Sequence, residues 1–249
     1  MLENYIIWNG ISSEDFDHLM IKKVPSLDRP KRKMEVFSVP GRNGDIVLSQ
    51  DAYEDYEVEY KLFLYADEKG SELAERCAEI AEWLYEPVGY TQFQDSYDPE
   101  YIRYAYISDE VEIKNKLAKY GTVEIPFTFR PERYLTVGQF ETEYTLPPVT
   151  IGNPTKFPSK PLIHIYPNTS VVLTNATLTI NDCVISISSL TEDMYIDCES
   201  MNAYKDDTNK NPLISLSTND FPRLEAGQNT ITWSSRIEKI SIVPRWWTI

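Results

Sequence analysis

Short stretches in which apolar and polar residues alternate recur along this chain, and their period of two constrains the fold more than any other feature. In Val58–Tyr65, the side chains of Val58, Tyr60, Leu62 and Leu64 fall on one side of the backbone. Successive residues of a strand point to opposite faces, so this segment predicts a half-buried β-strand. Further strands are predicted at Tyr5–Trp8, His18–Val24, Met34–Val39, Ile46–Ser49, Tyr90–Phe93, Ile102–Ile107, Val111–Leu117 and Gly121–Phe129.

One segment, residues 71–86, departs from this period and predicts a helix, because its apolar residues recur every three or four positions. Pro87 follows and stops the helix. A lone helix among strands is expected to cover one side of a sheet. Its apolar positions are Leu73, Cys77, Ile80, Ala81 and Leu84, and its opposite, solvated face carries Glu75, Glu79, Glu82 and Glu86.

Five prolines lie between Tyr144 and Pro161, where little periodicity survives, and this stretch predicts a linker of limited flexibility. The boundary is placed near residue 145. Residues 1–145 then form an N-terminal domain of strands with the helix at 71–86. Residues 146–249 form a C-terminal domain whose many short strands predict an antiparallel β-sandwich. Its strands are expected at Leu162–Tyr166, Ser170–Leu173, Ala176–Ile180, Val184–Ser188, Met194–Ile196, Leu213–Ser217, Thr230–Ser234 and Lys239–Pro244.

The chain is acidic, with a formal net charge of −15 over 249 residues. Residues 1–140 hold 16 basic and 27 acidic side chains, and so carry −11 of that charge. Nucleic-acid-binding proteins instead cluster Lys and Arg to displace counterions from phosphate. The excess either serves solubility or keeps a surface from holding DNA that passes close to it.

Few residues are suited to catalysis or to metal binding. The two histidines, His18 and His164, lie inside predicted strands and near no recognisable nucleophile turn. The three cysteines, Cys77, Cys183 and Cys198, lack the spacing of a zinc site or a disulfide framework. Glycine-rich phosphate loops are also missing. The sequence therefore predicts no enzyme, no catalytic residue, no cofactor and no metal site.

No apolar run reaches the roughly 18 residues that a membrane-spanning helix needs. The first residues, Met1 to Tyr5, lack the basic and apolar regions of a signal peptide. We therefore expect no membrane insertion and no export by the usual route.

Two tryptophans near the chain end, Trp246 and Trp247, leave a binding alternative open. On a small β-sandwich they could stack against sugar rings, which would make the C-terminal domain a carbohydrate-binding module that recognises a host surface. The reading favoured here is that they pack the end of the chain.

The segment Glu35–Ser49, with the sequence EVFSVPGRNGDIVLS, predicts two strands joined by a tight turn. Glycines supply the positive φ angles that such turns need. An arginine between two glycines stands at the tip. The candidate interface residues are Pro40, Gly41, Arg42, Asn43, Gly44 and Asp45.

The order of several motifs resembles the distal tail (Dit) proteins of long, non-contractile-tailed bacteriophages. A strand with an acidic pair precedes a DFP-L-G-N-I turn and strand, and the chain closes with PRW near its end. The hairpin, the lone helix and the stretch FTFRPERYL agree with this order in the first half. Pro154 departs from the pattern, in which a glycine follows Asn153. The matching residues are Asn153, Ser159, Pro161, Asp197, Glu199, Asp220, Phe221, Pro222, Leu224, Gly227, Asn229, Ile231, Pro244, Arg245 and Trp246.

The resemblance implies a structural hub of a phage tail tip. The N-terminal domain, a β-sandwich or barrel, would assemble as a homo-hexameric ring that joins the tail tube protein to a tail-associated tip protein, with DNA passing through as cargo. The C-terminal domain would be a galectin-like or carbohydrate-module-like β-sandwich that carries receptor-binding or baseplate proteins in some phages. The protein would be part of the virion, at the phage tail tip, and would be assembled in the host cytoplasm.

Within such a ring, the Pro40–Asp45 turn is expected to reach a neighbouring subunit. Arg42 would then pair with a carboxylate of that neighbour, or face an adjoining ring. The alternative is a solvent-exposed turn without a partner. The acidic excess of residues 1–140 is expected to line part of the lumen, because each basic contact to DNA would add affinity.

Overall fold

The computed structural model of the protein describes residues 4–16, 19–23, 25–26, 28–65, 70–107, 111–117, 120–172 and 174–249. The chain divides into two compact units, Met1–Arg133 together with Ile249, and Tyr134–Thr248. The boundary predicted near residue 145 lies inside the second unit. The predicted strand His18–Val24 is present as Leu19–Ile21, while His18 and Val24 themselves lie outside the described residues.

The first unit is an antiparallel sheet covered by one helix, as far as its described residues show. The elements are β1 (Ile6–Trp8), β2 (Ile11–Ser12), β3 (Leu19–Ile21), β4 (Arg32–Phe37), β5 (Ile46–Tyr53), β6 (Tyr56–Tyr65), α1 (Gly70–Tyr85), β7 (Thr91–Asp95), β8 (Tyr101–Ile107), β9 (Glu112–Leu117) and β10 (Tyr120–Phe129). The sheet runs in the order β2-β1-β7-β8-β10-β6-β3, and β9 pairs with β10, while β4 and β5 pair only with each other.

Helix α1 packs its apolar face on this sheet, as its periodicity predicted. Ile80, Trp83 and Leu84 are buried in the core of the unit. Two tryptophans fix the helix by reciprocal hydrogen bonds. Trp83 Nε1 donates to the carbonyl of Trp8 at 3.2 Å, and Trp8 Nε1 donates to the carbonyl of Leu84 at 3.2 Å. Both buried indole N–H groups are thereby satisfied, as burial of a polar group requires.

A buried ion pair lies within the same core. Arg103 donates to Asp95 and, at 2.9 Å, to the hydroxyl of Tyr60, which itself donates to Asp95. The guanidinium also lies over Phe93 and Phe129, with its Cζ 4.9 and 4.6 Å from the ring centroids. Burial raises the pKa of the Tyr60 hydroxyl well above its usual range, so this group stays a neutral donor. Asp95 and Tyr60 thereby compensate the buried guanidinium charge, while Arg103 Nε has no hydrogen-bond partner among the described residues.

Pro126 lies within β10, which is an interior strand of the sheet, although a proline in a strand normally indicates an edge or a bulge. On one side β10 pairs with β6 along its whole length. On the other side it pairs with β9 through residues 120–124 and with β8 through residues 127–129. Pro126 falls between these two partners, so its missing amide hydrogen interrupts no ladder on that edge.

The second unit is a β-sandwich, as predicted. Its strands, after β11 (Arg133–Leu135), are β12 (Thr142–Tyr144), β13 (Val149–Asn153), β14 (Leu162–Pro167), β15 (Ala176–Ile180), β16 (Cys183–Ile187), β17 (Met194–Asp197), β18 (Asn202–Lys205), β19 (Thr208–Asn209), β20 (Ile214–Leu216), β21 (Gly227–Trp233), β22 (Ile237–Val243) and β23 (Trp247–Thr248). Its two sheets run in the orders β12-β22-β14-β17-β18-β19 and β13-β21-β15-β16-β20.

The inward side chains of both sheets form one core. Ile163 and Ile242 come from one sheet, and Leu178 and Ile231 come from the other; all four are at most 1% exposed. Buried residues alternate with less buried ones along β15 and β16, as expected of strands with one face in the core of a sandwich.

Two predictions for this region are wrong. The stretch Tyr144–Pro161 is not a linker, because Val149–Asn153 pairs with β21 and so belongs to the sandwich. Its prolines flank that strand rather than interrupt it. The predicted strand Ser170–Leu173 is a turn in its described part, where the backbone N–H of Val171 donates to the carbonyl of Asn168 at 3.3 Å. Leu173 lies outside the described residues.

Candidate assembly surface

Strands β4 and β5 form a two-stranded sheet of their own, which we call the arm (residues 32–53). In the arm's register, Val36 faces Val47 and Phe37 faces Ile46. Every residue from 31 to 45 is exposed. An isolated two-stranded hairpin is at best marginally stable in water, so such an arm is expected to gain stability from a partner.

The tip of the arm contains the six residues that the sequence singled out, Pro40–Asp45, and all of them are exposed. Gly41 and Gly44 have φ angles of +81° and +79°, which residues with a Cβ adopt at a cost. An added Cβ would meet no heavy atom within 4 Å at either glycine. Glycine is therefore favoured at these two positions by the backbone conformation and not by a lack of space for a side chain. The turn is closed by a hydrogen bond from the Arg42 backbone N–H to the carbonyl of Val39 at 3.2 Å.

Arg42 projects from this turn as an exposed cation. Within the part of the chain that the structure describes, its guanidinium makes no ion pair. The sequence prediction that Arg42 serves a subunit interface stays a prediction.

Apolar side chains are exposed on both faces of the arm. One face presents Met34, Val36 and Val47, with exposed fractions of 52%, 58% and 55%. The other presents Phe37 and Leu48, with 48% and 52%. In a soluble monomer, an antiparallel strand that is exposed on one face normally has polar side chains on that face. Two apolar faces and unpaired strand edges are instead features of a segment that another chain covers.

Polar contacts hold the base of the arm. The Arg32 guanidinium donates to the Tyr53 hydroxyl at 3.1 Å and lies over the same ring, 5.3 Å from its centroid. Gln50 Nε2 donates to Glu35 Oε1 at 2.8 Å across the two strands. These contacts favour a fixed hairpin over two loose strands.

In the second unit, an ion pair joins two of the motif residues. Arg245 Nη1 donates to Asp197 Oδ1 at 2.6 Å and lies 3.5 Å from Glu199 Oε2. Burial raises the pKa of Asp197, but the hydrogen bond from Arg245 and those from the backbone amides of Glu199 and Ser200 outweigh it and hold the pKa below its usual value. Arg245 has a φ angle of +54°, so the pair also holds an uncommon backbone conformation. The acidic pair thus fastens the chain's last segment.

The other polar motif residues also bind backbone groups. Ser159, which is buried, donates from its hydroxyl to the carbonyl of Pro244 at 2.6 Å. Asn153 Nδ2 donates to the carbonyl of Leu224 at 3.1 Å. Asn229 Oδ1 accepts from the backbone N–H of Glu225 at 2.7 Å. These side chains hold irregular segments against the sandwich.

Trp246 is buried, 6% exposed, and belongs to the core of the second unit. Trp247 is half-buried; its Nε1 donates to the carbonyl of Pro158 at 2.9 Å, and its ring lies 4.5 Å from that of Phe157. Both indoles therefore pack the end of the chain, as the favoured interpretation of the sequence had it. Burial of Trp246 leaves little of its ring for stacking against a sugar.

His164 lies on the outer face of the six-stranded sheet. Its Nε2 is 2.7 Å from Asp193 Oδ2, and its ring stacks on that of Tyr195 with centroids 3.9 Å apart. Hydrogen bonds from Lys205 and then from His164 lower the pKa of Asp193. This histidine is thus held in a sheet-surface network.

Within the described ranges, no group of three or more His, Cys, Asp or Glu side chains is placed to hold a metal ion. Of the helices described, none has the length and hydropathy to cross a membrane.

Comparison with known proteins returns no matching family model and no matching curated protein. Among solved structures, the crystal structure of the SPP1 Dit protein (gp 19.1) matches with a TM-score of 0.76 and 13% sequence identity. The match covers 96% of this chain and 97% of that chain.

This chain has the Dit fold. The resemblance noted from the sequence motifs is thereby confirmed for the fold, as is a mainly β architecture with one helix. The Dit protein of SPP1 is described as a paradigm of the hub adsorption apparatus in phages that infect Gram-positive bacteria.

The sequence located the turn of the Dit-fold chain's arm but missed the arm's two apolar faces. That signal was present, because Val36 and Phe37 are adjacent and must point to opposite sides. Because the two residues were interpreted as ordinary strand residues, the sequence did not indicate that the described part of the first unit covers neither side chain. The contact of Pro40–Asp45 with a neighbouring subunit stays a prediction.

Proposed function

We propose that this protein is a structural hub of a phage tail, built from several copies of the chain closed into a ring. The observation that carries the proposal is the exposed arm, on a chain with the Dit fold. An arm with apolar side chains on both faces needs a covering surface, and further copies of the same chain supply one at every joint.

A ring of this kind uses two different surfaces of each subunit, one for each neighbour. The arm provides the first, crossing the joint to bury Val36, Val47 and their neighbours on the adjacent copy. Arg42 at its tip pairs with a carboxylate there, since a guanidinium fork suits a carboxylate. Six copies make the ring, as the resemblance implies.

The ring joins the tail tube protein on one side to a tail-associated tip protein on the other, and it belongs to the virion tail tip after assembly in the host cytoplasm. DNA passes through its lumen. The acidic excess of residues 1–140, −11 of the total −15, supports a lumen that repels phosphate. Tight binding of duplex DNA by the purified protein at moderate salt contradicts this part.

Light scattering on the purified chain tests the ring, with an arm-shortened variant beside it. Met34 and Ser49 face each other across the arm, so residues 35–48 can be replaced by an Asn-Gly turn that suits a two-residue hairpin. We expect a ring for the natural chain and a folded monomer for the variant. A natural chain that is monomeric at every concentration, or a variant that still forms the ring, contradicts the proposal.

A further inference from the structure

The chain contains two Asn-Gly pairs, and both lie at exposed turns between antiparallel strands. Asn9-Gly10 joins β1 to β2, and Asn43-Gly44 lies at the tip of the arm, between β4 and β5. An asparagine that precedes a glycine is prone to a spontaneous reaction in which its side chain loses ammonia. Glycine favours this reaction because it has no Cβ to hinder access to its backbone nitrogen.

The reaction needs only the protein, base and water. The backbone nitrogen of the glycine gives up its proton to base and attacks Cγ of the asparagine side chain. A C–N bond forms, the side-chain nitrogen leaves as ammonia, and a succinimide ring results. Water then opens the ring at either of its C–N bonds, which leaves aspartate or isoaspartate, and nothing is oxidised or reduced.

The turn around the asparagine decides the rate of ring closure, because the backbone must rotate to bring Cγ to the next nitrogen. A turn that is held in place prevents this rotation. Reaction there waits for local opening of the structure, so its rate is reduced by the small fraction of molecules that are open. The same dipeptide therefore reacts at different rates in different turns.

The turn at Asn9 is held in place. Asn9 and Gly10 have φ angles of +53° and +78°, as a favoured two-residue hairpin turn requires. Trp8 and Ile11 pair across the turn, and the Asn9 backbone N–H donates to the carbonyl of Gln92 at 3.2 Å. Because Trp8 is 1% exposed and belongs to the core of the first unit, this turn opens only if buried structure moves.

The turn at Asn43 has no such support. Residues 38–45 separate the two strands of the arm, and all of them are exposed. Within the described residues, Asn43 and Gly44 make no hydrogen bond, and the turn beside them is closed by the bond from Arg42 to Val39. The strands of the arm pair only with each other, so opening of the tip disturbs no buried core.

We infer that Asn43 is a site of spontaneous deamidation through a succinimide in the folded, unassembled subunit, and that Asn9 is not. The inference goes beyond the proposed function and does not depend on it. The product adds a carboxylate next to Arg42, at a tip whose other charged residue is Asp45. The isoaspartate form also lengthens the backbone at the turn that Gly44 shapes. Free subunits therefore change in charge and shape at the arm tip as they age.

Peptide mapping by mass spectrometry tests the inference. The purified full chain is incubated in mildly alkaline buffer, with and without guanidinium chloride, at a dilution where light scattering gives the mass of a single chain. Both turns are lost in the denatured chain, so both asparagines should gain the mass of a deamidation at similar rates. In the folded chain we expect Asn43 to react at least about tenfold faster than Asn9, because a turn that must open reacts only in its open fraction.

Asn43→Gln is the matched variant, since the longer side chain would have to close a larger ring, which forms far more slowly. This variant should abolish the mass gain in the arm peptide and leave the Asn9 peptide as it is in the natural chain. Chromatographic separation of aspartate and isoaspartate peptides identifies the succinimide route, because direct hydrolysis of the amide gives aspartate alone.

Three results would overturn the inference. They are equal rates for the two asparagines in the folded chain, an arm peptide that stays unmodified while the denatured chain reacts, and a product that is aspartate alone. None of them bears on whether the subunits form a ring, so the proposed function is tested separately.

Discussion

Replacing Val36 and Val47 together by serine should weaken assembly while leaving the folded subunit almost unchanged. The two side chains face each other across the arm and keep 58% and 55% of their surface exposed. Full burial of a valine side chain contributes about 1.5–3 kcal/mol. Docking therefore has roughly half of that left to gain at each site, about 1 kcal/mol, or about 2 kcal/mol per joint.

A loss of about 2 kcal/mol corresponds to a joint roughly 30-fold weaker. A closed ring needs every joint, so the concentration at half assembly should rise by at least about this factor. Size-exclusion chromatography with light scattering over a dilution series measures it, and a thermal melt of the monomer checks the fold. Val172→Ser is the matched control, since Val172 is 96% exposed and lies in the second unit.

Unchanged assembly of the double variant at every concentration would refute the reasoning that the arm's apolar face is buried at a joint. A large fall in the melting temperature of the monomer would refute it differently, by showing that the two valines already stabilise their own subunit.

Three further predictions concern the folded subunit. Asp95→Ala leaves the Arg103 charge buried and unpaired, and should lower the free energy of unfolding by about 3–5 kcal/mol in urea titrations; a loss near zero would count against the ion pair. Gly138→Ala places a Cβ 2.7 Å from the Trp246 backbone nitrogen, so a thermal melt should show a loss of about 1–3 kcal/mol, which an unchanged melting temperature would disprove. Because the pKa of Asp197 lies below its ordinary 3.8, its carboxylate stabilises the fold at neutral pH and ceases to do so as the pH falls through the folded-state pKa; Asp197→Asn should remove that acid-side loss of stability, measured as unfolding free energy against pH.

Periodicity alone located most of the fold. The alternation in Val58–Tyr65 and the helical spacing of Ile80 and Leu84 each reflect one dominant local force, burial of an apolar face, and both predictions are confirmed. The linker prediction failed because proline density was taken as a property of the whole stretch. A proline interrupts a strand only where its missing N–H would have donated a hydrogen bond. Val149–Asn153 contains no proline, so a strand can form there.

The candidate site was less accessible to sequence reasoning. A turn such as Pro40–Asp45 has a local signal in its glycines, so its place was predictable. The adjacent Val36 and Phe37 indicate two apolar faces, but they do not distinguish an exposed arm from a strand that is covered on both sides. The solvated face predicted for Glu75, Glu79, Glu82 and Glu86 is confirmed, because all four residues are exposed.

Negative-stain electron microscopy of the purified protein tests the central claim most directly, because a closed ring of identical subunits has a recognisable projection. The account predicts class averages of an annulus with six-fold symmetry and a central opening. Particles without an opening, together with a mass that stays at 28.9 kDa at every concentration, would contradict it.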